Sequence, residues 1–156
     1  AQPALVEAFL PGAEYTVMVT GHAPCRVWPV LQRALESESR IGLHALEHEA
    51  VQDWDHVAPG ELSPELEAHL KTLAEVIFEA FECRDFARID FRMDAAGKAT
   101  FLELNPLPTF APDGTFGVLA ELEGRPVAAL LAEVLEQALR RIGLPGHGRS
   151  FTDIGD

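Results

Sequence analysis

Residues 86–105 constrain this chain more than any other stretch. Two runs of alternating apolar and polar residues, Phe86–Met93 and Ala99–Asn105, flank Asp94-Ala95-Ala96-Gly97. Alternation at period two marks a strand with one buried face. An Asp-to-Gly cluster between two such runs reads as a hairpin turn. An even-length turn (two residues at Ala96-Gly97, or four over 94–97) sets even positions of the first strand beside odd positions of the second. One face then carries Ala87, Ile89, Phe91, Met93, Leu102 and Leu104, a core. The other carries Arg88, Asp90, Arg92, Phe101, Glu103 and Asn105.

The neighbouring segments fill out an α+β chain. Leu5–Leu10 reads as a short strand, turned by Pro11-Gly12 into a second strand over Glu14–Thr20, with which it is expected to pair. Arg26–Val30 reads as a third. Residues 31–60 mix Glu, His and Ser with scattered apolar residues and read as irregular. Ser63 is an N-cap and Pro64 suits the first helical position, so a helix is expected over 64–82. After the hairpin, Pro106 and Pro108 stop the strand and Phe110–Thr115 reads as a loop. Phe116–Leu122 reads as a short helix and Pro126–Ile142 as a longer one. Arg140 and Arg141 suit the C-terminal end of that helix. Residues 146–156 read as a polar tail beyond a domain over 1–145.

Composition narrows the function classes. A length of 156 residues with 47% hydrophobic and 24% charged residues fits one domain with a sizeable core. A net charge of −13 repels phosphate backbones and argues against a nucleic-acid partner. No apolar run is long enough to span a bilayer. Two cysteines, Cys25 and Cys83, are too few for a disulfide scaffold and fit a cytoplasmic protein. They read as small buried apolar residues. The start at Ala1-Gln2 suggests a processed chain or part of a longer one.

A half-exposed hairpin often has a solvated polar face, and that reading accounts for the charged positions here. Two details favour chemistry. Asp and Asn are poor strand residues. Asp90, Glu103 and Asn105 are also all hard oxygen donors, the kind Mg²⁺ takes together with phosphate oxygens. Arg88 on the same face suits a phosphoryl group, because its planar fork binds phosphate oxygens in pairs.

The stretch Ala87-Arg88-Ile89-Asp90-Phe91, a turn, then Phe101-Leu102-Glu103-Leu104-Asn105-Pro106-Leu107-Pro108 resembles the ATP-grasp superfamily, specifically ligases like D-alanine–D-alanine ligase. Upstream, Val6 to Val17 is similar to that family's interdomain hinge and following strand. The resemblance covers roughly residues 5–142. It implies the C-terminal ATP-grasp subdomain, a mostly antiparallel sheet with packed helices. It also implies an ATP-dependent carboxylate–amine ligase working through an acyl phosphate. By position, Asp90, Glu103 and Asn105 would bind one or two Mg²⁺, with Mn²⁺ as a substitute. Arg88 would be the catalytic contact to the γ-phosphate. Glu7, Ala8, Phe9 and Leu10 would meet the adenine, and Glu14 the ribose. Thr115 would stand near the substrate carboxylate. The implied partners are ATP, small amino-acid or peptide-like substrates, the N-terminal part of the same enzyme and a homodimer mate.

The departures are specific. Lys71 and Lys98 are the only lysines, and there is no Gly-rich phosphate loop. The segment where the family places a further lysine has Arg33 and Arg40. Thr109 follows Pro108 where the peptide-forming ligases usually have Gly, and Pro106 directly follows Asn105. These suggest a different substrate. They also leave open a non-catalytic, degenerate ATP-grasp-like binding or scaffold module. His44 and His48, four apart, read as part of a solvated acidic stretch rather than zinc ligands. Trp28 and Trp54 read as packing residues.

Overall fold

The structure is a computed structural model and describes residues 3–33, 56–57, 62–111 and 114–144. Among these the chain runs β1 (Glu14–Gly21), β2 (Cys25–Val27), β3 (Leu31–Arg33), β4 (His56–Val57), α1 (Pro64–Ala80), β5 (Asp85–Met93), β6 (Ala99–Asn105), α2 (Thr115–Leu122) and α3 (Val127–Arg141). The strands form one antiparallel sheet in the order β4-β3-β1-β5-β6, with β2 also paired to β1. Helices pack on both faces, giving the expected α+β architecture.

β1 organises the core because its two faces take different partners. Tyr15, Val17 and Val19 point toward α1 and pack with Leu70, Ala74 and Phe78, and with Ala87, Ile89 and Phe91 of β5. Met18, on the opposite face, packs with Trp28, Phe116, Leu119, Leu130 and Val134 under α2 and α3. Each such side chain, fully buried, contributes about 1.5–3 kcal/mol. Trp28 is a packing residue as expected, and its indole Nε1–H donates to Thr20 Oγ1 at 2.9 Å.

Helix α1 starts where its caps put it. Ser63 Oγ accepts the Leu66 N–H at 3.2 Å, and Pro64 holds the first position. It ends at Ala80 rather than 82. The Cys83 N–H turns back to the Phe78 carbonyl at 2.9 Å, with Glu82 at φ +53°.

Several expectations need correction. Leu5–Leu10 forms no strand; Leu5 and Val6 are almost fully exposed. A mostly apolar run becomes a strand only with a partner backbone, and both edges of β1 are taken by β2, β3 and β5. The expected third strand is split at Trp28, whose N–H bonds the Met18 carbonyl at 2.9 Å. The stretch expected to be irregular contributes β3 and β4. Its remaining residues, including His44, His48 and Trp54, lie outside the described ones, as does the 146–156 tail. Cys25 and Cys83 are half-buried rather than buried.

A further correction concerns the hairpin. Its turn has an odd count. Asp94 and Lys98 close it through the Asp94 N–H and Lys98 carbonyl at 2.9 Å, leaving Ala95-Ala96-Gly97 between them. Gly97 sits at φ +79°, the left-handed position such a loop requires. Asp94 Oδ1 accepts from the Ala96 and Lys98 N–H groups at 2.8 Å. Phe91 therefore faces Phe101, and Arg92 faces Thr100. A bulge between Asp90 and Phe91, with Leu102 as the extra residue, then restores the other parity: Asp90 faces Glu103 and Arg88 faces Asn105. Phe101 consequently lies on the α1 side, with its ring centroid 6.2 Å from that of Phe81. It is not on the polar face, and Leu102 is not a core residue; it is 43% exposed.

Candidate functional site

Strand register assembles the polar group. Cross-strand partners point to the same side of a sheet. Thr16 of β1 lies opposite Asp90 of β5, which lies opposite Glu103 of β6. One step along, Met18, Arg88 and Asn105 form the next row. One step the other way, Glu14 faces Arg92 and, across its other edge, Arg33 of β3.

Asp90 is the anchor, only 3% exposed. The Thr16 hydroxyl donates a short hydrogen bond to its Oδ1. Arg88 donates to it through Nε at 3.0 Å to both oxygens and through Nη2 to Oδ2 at 2.7 Å. The same Nη2 also donates to Glu103 Oε1 at 3.1 Å. Burial opposes the charge on Arg88; the Asp90 hydrogen bonds, then the Asp90 and Glu103 charges, outweigh it and raise its pKa above the ordinary guanidinium value. The side chain of Glu103 is 61% exposed, so the group has a fixed floor at Asp90 and a rim free to swing at Glu103. Asn105 Oδ1 accepts the Leu107 N–H at 3.0 Å, which turns the amide back toward the end of β6.

The expected metal set is thus brought together: Asp90 and Glu103 are opposite each other, and Asn105 is two residues along β6. Two carboxylates and an amide carbonyl are the donor chemistry of a hard divalent cation. With one guanidinium between two carboxylates the cluster keeps a net negative charge. The donor types suit Mg²⁺, but Asp90 is filled by Arg88 and Thr16 and Asn105 Oδ1 by the Leu107 N–H, so Arg88 and Asn105 as well as Glu103 would have to turn to admit it.

Glu14 is 7% exposed, and both its oxygens are engaged: Oε1 by Arg33 Nη1 and Oε2 by Arg92 Nη1, each at 3.2 Å. Sequence reading gave Glu14 a ribose-binding role and missed this pairing. It missed the Thr16 contact too, although the signal was present: Glu14 and Thr16 alternate with Tyr15, Val17 and Val19. Glu7, Ala8 and Phe9 are exposed and Leu10 half-buried. The Phe9 ring lies 5.4 Å from the Arg92 guanidinium carbon, so this stretch meets the sheet at the Glu14 end. Thr115 is buried at the first turn of α2.

The chain is similar in sequence and in fold to known proteins. An uncharacterized protein of Sinorhizobium fredii, y4sG, is 29% identical over 142 residues, 90% of this chain and 42% of its own length. A D-alanine–D-alanine ligase of Pelotomaculum thermopropionicum is 28% identical over 142 residues, 90% of this chain and 43% of its own. The crystal structure of D-alanine–D-alanine ligase from Bacillus anthracis complexed with ATP matches the fold with a TM-score of 0.65 at 20% identity, covering 86% of this chain and 39% of that one. The chain spans less than half the length of these relatives. The family model described as D-ala D-ala ligase C-terminus matches residues 1–136. The chain belongs to that family and has the fold of an ATP-grasp C-terminal subdomain.

Proposed function

We propose that this chain is the nucleotide- and metal-binding portion of an ATP-dependent carboxylate–amine ligase. The observation that supports this most is Arg88 bridging Asp90 and Glu103 across two adjacent strands, at the positions the family resemblance assigns to phosphoryl transfer. On this reading a substrate carboxylate oxygen attacks the γ-phosphorus of ATP, the bond to the β–γ bridging oxygen breaks, and ADP leaves. An amine nitrogen then attacks the acyl carbon, the bond to the phosphate oxygen breaks, and phosphate leaves as the nitrogen gives its proton to solvent. The product is an amide.

The chain's own residues supply positioning and charge. Arg88 releases Glu103 and turns its fork toward the transferring phosphoryl group, while Asp90, itself held by the Thr16 hydroxyl, keeps its other side fixed. Asp90, Glu103 and Asn105 hold Mg²⁺, which when bound neutralises phosphate charge. Phe9 and its neighbours contact the base. Glu14 orients Arg33 and Arg92 at the nucleotide end and is near the ribose through them. The lysines and Gly-rich loop come from a segment N-terminal to residues 5–12, and the enzyme works in the cytoplasm on amino-acid-like substrates, as a homodimer.

The closed Arg88–Asp90–Glu103 pairing is also what a non-catalytic module needs for stability alone. ATP-dependent phosphate release by the complete gene product, screened with amino acids and dipeptides, separates the two readings. The ligase reading expects release stimulated by an amino acid and lost in Glu103→Ala with the melting temperature kept. Equal release by that variant refutes the catalytic assignment.

A further inference from the structure

The polar row on β5 ends abruptly. Arg92, Asp90 and Arg88 share one face of the strand, and the next residue on that face is Phe86. Phe86 meets the ring of Phe110 edge-on at 4.9 Å between centroids, and Phe110 meets Phe116 of α2 in the same way at 4.9 Å. On β6 the row ends at Asn105, whose side chain bonds the Leu107 backbone and fixes that residue beside it. Leu107 is 78% exposed and Phe110 36%. One side of Arg88 is therefore charged and leads to Glu14, Arg33 and Arg92; the other is apolar and aromatic.

A substrate whose carboxylate lies at Arg88 has two directions in which to extend. The charged end is taken by the nucleotide, so the rest of the substrate runs over Leu107 and Phe110. We propose that Leu107 and Phe110 select a carboxylate substrate carrying an apolar side chain larger than a methyl group. This rests on the ligase reading above and adds the substrate class to it. The two residues supply no hydrogen-bond donor from their side chains, so discrimination comes from apolar contact and shape. Contact of this kind is worth about 10–200-fold per methylene-sized difference.

The test uses the complete gene product, ATP with magnesium, and alanine or leucine as the carboxylate, each as both enantiomers, read as phosphate release. The expected kcat/KM for leucine exceeds that for alanine by about tenfold or more. Leu107→Ala lowers that ratio by about tenfold while the KM for ATP stays unchanged. This variant is safe for folding, because an exposed side chain leaves no cavity when trimmed. Phe110→Ala shifts the ratio in the same direction. Preference for alanine, or an unchanged ratio in Leu107→Ala, overturns the substrate class and leaves the ligase reading standing. No stimulation by any amino acid or dipeptide overturns both.

Discussion

Replacing Glu14 by Ala tests how the sheet holds its charges. In the folded protein this one carboxylate separates two guanidiniums, each 3.2 Å from a different oxygen. Arg92 has a side chain only 9% exposed and Arg33 one of 16%, so neither can turn fully into water when its partner is removed. Breaking a buried pair by deleting one member typically costs about 3–5 kcal/mol, because an uncompensated charge stays inside. Here both guanidiniums lose the carboxylate that lies between them. For a chain of this size each kcal/mol lowers the melting temperature by about 2–4 °C, so Glu14→Ala is expected to melt roughly 6–20 °C below the wild type. Glu14→Gln recovers part of the loss by keeping the shape and one accepting oxygen. The triple change Glu14→Leu, Arg33→Met and Arg92→Met recovers most of it, since apolar residues of similar volume remove the desolvation penalty altogether. Thermal melting and urea denaturation of the complete gene product measure all three. A Glu14→Ala protein melting within about 2 °C of wild type refutes the argument and returns Glu14 to a purely ligand-facing role.

Two further outcomes follow from particular contacts. Gly12 lies against β5, where an added Cβ would sit 2.6 Å from both the Cβ and the carbonyl oxygen of Met93. Gly12→Ala is therefore expected to cost about 1–3 kcal/mol by urea denaturation, and a neutral result would show that the segment before β1 moves freely. The Cys25 thiol is raised above its ordinary pKa by burial first, then by the Glu75 and Glu79 charges. The folded state thus keeps the thiol proton longer than the unfolded chain does. The resulting stabilisation is full below the ordinary thiol pKa and is lost as pH rises through the folded value. At mildly alkaline pH, Glu75→Gln should speed iodoacetamide labelling of Cys25 and leave Cys83, raised by burial alone, unchanged. Equal rates at Cys25 in both proteins would remove Glu75 from the account.

Much of the site was legible in the sequence because it rests on strand alternation, a local property. Asp90, Glu103 and Asn105 do share a face, but not by the route the residues suggest. An odd turn flips the parity and the extra residue at Leu102 flips it back, so two departures cancel at Arg88–Asn105 and fail to cancel at Phe101. Helices α1 and α3 were readable from Ser63, Pro64 and Pro126 at their starts and from apolar spacing. Leu5–Leu10 misled because local composition says nothing of whether a partner strand is available. The Glu14–Arg33–Arg92 group was invisible for a related reason: it depends on the register of three strands that are far apart in the chain.

The most direct measurement is calorimetric titration of ATP into the complete gene product, with magnesium and with the metal chelated, for the wild type and Glu103→Ala. ATP affinity that requires magnesium in the wild type and no longer responds to it in the variant is the predicted result. An identical response to the metal in both proteins would contradict the assignment of Glu103, and with it the magnesium site built across β5 and β6.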